Sequence, residues 1–140
     1  MDTQPTTITV QVTVNAPIEK TWYYFTTAAH IEKWNNASDD WHCPKAVNDL
    51  RRGGIFSYTM AAKDGIFGFD FVGLYDDVLE NELIMYTIAD GRKVKISFAS
   101  NGDVTEVVET FEAETENSIE MQQGGWQAIL NNFKKYAESN

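Results

Sequence analysis

The sequence predicts an α+β domain, a curved antiparallel sheet laid over one face of a long C-terminal helix, in the order β-α-α-β-β-β-β-β-β-α. Three observations carry this. Residues 8–14, Ile-Thr-Val-Gln-Val-Thr-Val, alternate apolar and polar strictly, as a strand with one buried face does. Asp64-Gly65, Asp90-Gly91 and Asn101-Gly102 are turn pairs that tolerate positive φ, each set between strand-like runs. Residues 117–139, wound as a helix, place Ile119, Trp126, Ile129, Leu130, Phe133 and Ala137 on one stripe, with Gln127, Asn131, Lys134, Lys135 and Glu138 opposite.

Taken in order, the alternating run is the first strand. Pro17 suits the opening position of a helix, where its missing N–H is no loss, and Ile18, Trp22 and Phe25 follow at helical spacing. A second short helix over residues 28–34 offers Ile31 and Trp34 to the core. Residues 35–44 have turn composition and read as a loop leading into a strand that ends near Leu50. Two-residue turns then set the register. In the first hairpin Met60 faces Phe69, Tyr58 faces Phe71 and Phe56 faces Gly73, which gathers the large aromatics on one face and leaves space opposite Phe56. In the third, Phe98 faces Thr105, Ile96 faces Val107, Val94 faces Glu109 and Arg92 faces Phe111. Asn117 with Glu120 reads as a capping box for the last helix. Gly124 and Gly125 each cost about 1 kcal/mol relative to Ala inside it. Close approach to the sheet or an opening beside Trp126 would compensate; otherwise the helix begins at Gly125.

The chain has 140 residues, enough for one domain spanning 1–140. A net charge of −10 disfavours nucleic acid and anionic membrane surfaces as partners. A lone cysteine, Cys43, suits a reducing compartment. The polar start over residues 1–7 and the lack of a long apolar run point to a cytoplasmic protein without membrane insertion.

A family resemblance follows from particular residues. Ala16-Pro17-Ile18-Glu19-Lys20-Thr21-Trp22, Trp34, Asp49-Leu50-Arg51-Arg52-Gly53-Gly54-Ile55-Phe56, Gly73-Leu74-Tyr75, residues 105–111 and Gly125-Trp126 with Leu130 together resemble the START-like (SRPBCC) superfamily. Within it the chain is most similar to bacterial relatives of the C-terminal domain of the activator of heat-shock protein 90 ATPase. The resemblance implies a helix-grip fold with a hydrophobic cavity between sheet and terminal helix. It leaves activity open, because members include lipid carriers, hormone receptors, polyketide cyclases and chaperone activators. The eukaryotic activator carries a further N-terminal domain that contributes to chaperone binding, and 140 residues leave no room for one.

Glu109 shares the inner face with Val107 and Phe111, and a buried carboxylate must be paired, hydrogen-bonded or protonated. Arg92 is its candidate partner. A one-residue slip would instead put Glu109 in solvent, and a purely structural ion pair is the other bland reading. Tyr58 can hydrogen-bond a ligand, although packing between Phe56 and Met60 is the plainer role. Trp22, Trp34, Phe56, Phe69, Phe71, Phe98 and Trp126 either line a pocket or fill a core. His42 and Cys43 are adjacent but lack the further ligands a metal site needs, and as strand neighbours they point apart. Asp39-Asp40 reads as a solvated loop, and Arg51-Arg52-Gly53-Gly54 as a tight turn before an anion site.

The leading expectation is a binding protein for a hydrophobic or amphipathic small molecule, using Trp34, Phe56, Tyr58, Phe69, Phe71, Arg92, Phe98, Glu109, Trp126 and Leu130, with no cofactor and no metal. One alternative is a cyclase-like enzyme with Glu109 as base and Tyr58 as donor. The other is an interaction module that engages a chaperone, with a homodimer through an edge strand also open.

Overall fold

The computed structural model describes residues 6–140. The polar N-terminal stretch read for the absence of a leader lies, through residue 5, outside the described residues. Ten elements follow one another: β1 (Thr7–Val14), α1 (Ile18–Thr26), α2 (Ala28–Trp34), β2 (Trp41–Asn48), β3 (Ile55–Ala62), β4 (Gly68–Leu79), β5 (Leu83–Ile88), β6 (Lys93–Asn101), β7 (Val104–Glu112) and α3 (Ile119–Ser139). This is the α+β order read from the sequence. The strands form one antiparallel sheet in the order β1-β7-β6-β5-β4-β3-β2. β2 through β7 form a meander, while β1 sits at the far edge against β7, so α1 and α2 carry the chain from one edge of the sheet to the other.

Alternation decides which side of the sheet is filled. Ile8, Val10 and Val14 of β1, Val94, Ile96 and Phe98 of β6, and Thr105, Val107, Glu109 and Phe111 of β7 are all buried on the inner face. Against this face the C-terminal half of α3 lays Leu130, Phe133 and Ala137, each no more than 1% exposed. Phe25 of α1 and Trp34 of α2 complete the cluster, with ring centroids 5.0 Å from Phe133 in both cases. Phe98 closes it from the sheet side, 5.0 Å from Trp22 and 5.3 Å from Phe25. Two buried hydroxyls fix the β1–α1 corner: Thr105 Oγ1 donates to the Ala16 carbonyl at 2.8 Å, and Thr21 Oγ1 to Pro17 at 3.0 Å.

The polar flank of α3 also does structural work, a role its composition does not announce. Gln127 Nε2 donates to the Gln11 carbonyl at 3.0 Å, Lys134 Nζ donates to the Thr13 carbonyl at 2.7 Å, and the Asn15 amide donates to Glu138 Oε2 at 2.7 Å. These alternate backbone groups form the outward edge of β1, which is thereby covered rather than left free for another strand.

Several sequence expectations need correction. The first hairpin has the register read from its residues, with Phe56 opposite Gly73, Tyr58 opposite Phe71 and Met60 opposite Phe69. A Cβ on Gly73 would stand 2.3 Å from the Phe56 ring, so glycine there makes room for it. The third hairpin is displaced by two residues: Val94 faces Phe111, Ile96 faces Glu109 and Phe98 faces Val107. The left-handed residue is Gly102 at φ +69°, and Asn101 still pairs, with Val104, so the two-residue turn is Gly102-Asp103. A shift of two preserves the face of every side chain. The Asp90-Gly91 turn is a three-residue loop in which the Ile88 amide donates to the Arg92 carbonyl at 2.8 Å. A fourth hairpin, between β4 and β5, turns at Asn81 with φ +64° and carries no glycine to reveal it. β2 begins at Trp41, earlier than the loop composition suggests.

The cap of α3 is Ser118, whose hydroxyl accepts from the Met121 amide at 3.1 Å, and not Asn117. Starting there, the helix runs unbroken through Gly124 and Gly125, and Ile119 is 42% exposed rather than part of the core stripe. Pro17 caps α1 from just outside it. Nothing lies within 4 Å of a Cβ placed on Gly124 or Gly125, so close approach to the sheet does not explain the pair.

Candidate functional site

Where the C-terminal half of α3 meets a filled core, its N-terminal half stands over open space. A cavity of about 210 Å³ lies between Trp126 and Ile129 of α3, Phe25 and Thr26 of α1, Trp34 at the end of α2, and the inner faces of β3 through β7. Trp126 forms part of its roof. The indole stacks on Phe111 of β7 with ring centres 3.9 Å apart and meets Phe71 of β4 edge-on at 6.2 Å, so one side chain spans from the helix to both halves of the sheet.

Of the residues singled out from sequence, Trp34, Tyr58, Phe69, Phe71, Glu109 and Trp126 line this space. Phe69 stands at its rim, half exposed. Phe56, Phe98, Leu130 and Arg92 do not line it. Phe56 is 1% exposed and backs the wall, stacking on Tyr58 at 4.7 Å. Phe98 belongs to the solid core beside Trp22, and Leu130 is fully packed. Arg92 sits beyond the end of β6, where Asp90 Oδ2 holds its Nε at 2.8 Å and the Glu112 carbonyl accepts from Nη1 at 3.4 Å. The expected Arg92–Glu109 pair is therefore not formed. The local loop geometry supplies Arg92 with a nearer carboxylate.

Glu109 is 8% exposed, and its carboxyl opens onto the cavity without a hydrogen bond from any described residue. Burial alone pushes its pKa up to about 8, so at neutral pH it is chiefly a neutral carboxylic acid. In that acid form the group is a proton donor to the cavity.

Sequence reasoning missed Tyr75 and Tyr86, which face each other across β4 and β5 and line the cavity. Period-2 alternation from Gly73 to Tyr75 would have found the first. Tyr75 donates its hydroxyl proton to Asn48 Oδ1 at 2.5 Å, and Asn48 Nδ2 donates to the Thr26 carbonyl at 2.7 Å, which ties β2, β4 and α1 together at one polar corner. Burial raises Tyr75 to about 12 and pushes Tyr58 and Tyr86 well above the ordinary phenol range, Tyr86 also because Glu109 is near. All three hydroxyls stay protonated at physiological pH.

His42 points to solvent while Cys43 is buried, its thiol raised to about 11 by burial and then by Glu32. Neither is poised as a nucleophile. No group of three or more His, Cys, Asp or Glu side chains able to hold a metal occurs among the described residues. The Arg51–Gly54 segment is a tight turn: Gly53 has φ +83°, and Arg51 is paired with Asp49 at 3.0 Å. No helix among the described residues is long and apolar enough to cross a membrane.

Comparison with known proteins places this architecture. The family described as Activator of Hsp90 ATPase homolog 1-like protein matches residues 15–138. The chain belongs to that family. A solution structure of an AHSA1-like protein from Aeromonas hydrophila is similar at 42% identity, with 96% of this chain and 93% of that chain covered and a TM-score of 0.90. A solution structure from Cytophaga hutchinsonii is 59% identical over 95% of this chain and 92% of that one, with a TM-score of 0.82. A crystal structure from Chromobacterium violaceum, at 23% identity, 97% and 100% coverage and a TM-score of 0.85, shares the fold. A comparison with curated proteins gives no match. For this member of the activator-homologue family, the helix-grip architecture expected from the resemblance is the one observed, and the Trp126 on which the resemblance partly rests is the residue that roofs the cavity.

Proposed function

We propose that this protein binds a small hydrophobic or amphipathic molecule in the cavity beneath α3, without covalent chemistry. The observation that carries the reading is a buried carboxyl, Glu109, that faces an aromatic-walled space with no protein partner. The carboxyl opens onto the cavity and meets no protein donor, so whatever occupies that space supplies its hydrogen bonds, and a ligand can take over that role. Size limits the occupant. An apolar cavity of ~150 Å³ holds benzene, so about 210 Å³ suits roughly eight non-hydrogen atoms, one ring with a short polar arm. The test is native mass spectrometry of protein purified under gentle conditions from cell extract, paired with NMR shifts of the Trp126 indole against a library of single-ring compounds. A retained or titratable small molecule that moves Trp126 is expected. A bare chain whose Trp126 signal responds to no member of the library refutes it.

A second reading draws on the β3–β4 hairpin tip. Ile66 and Phe67 are 84% and 62% exposed, and Phe67 and Phe69 cluster with Trp41 at centroid distances of 5.8 and 6.2 Å. Such a patch suits a protein partner, and the family's description names a chaperone ATPase. Pull-down with the cognate chaperone, compared between the native chain and Phe67→Ser, tests it; equal and background-level capture removes it.

A further inference from the structure

The lining of the cavity is electrostatically one-sided. Among the described residues it contains one carboxyl, Glu109, three tyrosines, and no lysine, arginine or histidine. Arg92, whose charge is felt at Tyr86, is held out of the lining by Asp90 and the Glu112 carbonyl. The walls are largely rings, those of Trp34, Phe71, Tyr86 and Trp126 among them, and an aromatic face carries negative potential. The chain as a whole has a net charge of −10, which raises the local concentration of cations around it. The carboxyl, the ring faces and the net charge each favour a positive guest and disfavour an anion.

Building on the binding role proposed above, we infer that the cavity selects small organic cations, a primary ammonium carried on a body about one ring in size, with Glu109 as counter-ion. The ammonium N–H groups donate to the carboxylate, and the surrounding rings contribute cation–π attraction. The proton balance is explicit: an ammonium that enters a cavity holding Glu109 as its neutral acid leaves an ammonium–carboxylate pair and releases one proton to solvent.

This fixes the sign of the pH dependence. Below about pH 8 Glu109 must give up its proton for the guest to bind, so affinity falls by about tenfold for each unit of acidification. A neutral guest that accepts a hydrogen bond from the acid form behaves oppositely and weakens above that value. No other group facing the cavity confuses the reading. Tyr58 on β3, Tyr75 on β4 and Tyr86 on β5 are raised and stay neutral, as does Cys43 behind them on β2. On the other sides, β7 contributes only Glu109, β6 only Ile96, and α1, α2 and α3 present Phe25, Thr26, Trp34, Trp126 and Ile129, none of which titrates.

The experiment uses three probes of similar size, phenethylamine, 2-phenylethanol and phenylacetate, titrated calorimetrically into the full chain between about pH 6 and 9, in two buffers of different ionisation enthalpy. The expected result is amine binding that tightens about tenfold per unit up to roughly pH 8 with release of one proton, alcohol binding that does not tighten, and no carboxylate binding. Glu109→Gln should weaken the amine at pH 8 by at least about tenfold and abolish the proton release, while an unchanged NMR signal of the Trp126 indole in the free variant shows that its cavity is intact. Alcohol binding with no preference for the amine, or amine binding without proton release, overturns the cation assignment while the binding role stands. Failure of all three probes to bind overturns both.

Discussion

Replacing Glu109 by glutamine keeps the shape of the side chain and removes its ionisation, and the consequence for stability can be worked from its surroundings. The carboxyl is buried, has no partner among the described residues, and is raised from 4.5 to about 8 by desolvation alone. In the unfolded chain the same group ionises at its ordinary value, so between those two values the folded state holds a proton that the unfolded state has lost. Stability must therefore fall as pH rises through that window and level off above about 8. At ~1.4 kcal/mol per unit, the native chain forgoes on the order of 3 kcal/mol at neutral pH and about 5 above pH 8. Glu109→Gln abolishes the loss. Urea denaturation of both proteins from about pH 5 to 9 gives a difference curve in which every other titrating group cancels, and that difference should climb with pH in favour of the glutamine variant. A flat curve, or one that climbs in favour of the native chain, would mean that Glu109 is solvated or paired, and the account of the cavity would fall with it.

Two further outcomes follow from packing. Phe133→Ala removes a ring in contact with both Phe25 and Trp34 at a position with no exposure, and should cost about 3–5 kcal/mol in denaturant unfolding; a loss below about 1 kcal/mol would show that the core can collapse around the gap. Gly73→Ala places a methyl 2.3 Å from the Phe56 ring, so destabilisation of about 1–3 kcal/mol is expected by the same assay, and relief of it in the double variant with Phe56→Leu would show that the clash is with that ring.

The fold was legible because the period-2 and helical patterns are strong and the turns are marked by glycine. What failed was local. At the third hairpin, Asn101 and Gly102 are both competent turn residues, and composition alone cannot say whether the turn is Asn101-Gly102 or Gly102-Asp103. The error was invisible to the face assignment because it amounted to two residues, which is why Glu109 was still placed inward. Its partner could not be read the same way. An arginine reaches several carboxylates, and the loop gave Asp90 the shorter path. Ser118 displaced Asn117 as the cap because one residue's difference in chain direction decides which side chain meets the first free amides. The grip of α3's polar flank on β1 could not be read, since nothing in a helix's own pattern states that a sheet edge will run alongside it.

The two halves of α3 divide the labour between stability and site. From Leu130 onward the helix is fixed twice, by Phe133 and Ala137 in the core and by Lys134 and Glu138 on the edge of β1. Before Trp126 it carries Gly124 and Gly125, positions where a Cβ would meet no neighbouring atom. If space under the helix were merely a packing defect, filling it would cost little. Alanine at either glycine would gain about 1 kcal/mol of helix propensity without any clash. Packing does not explain the two glycines, and the first turns of α3 are held by polar groups: the Ser118 hydroxyl accepts from the Met121 amide, while buried Gln122 donates to the Glu114 and Asn117 carbonyls and accepts from the Glu114 amide, which fixes the helix end that presents Trp126 to β4 and β7.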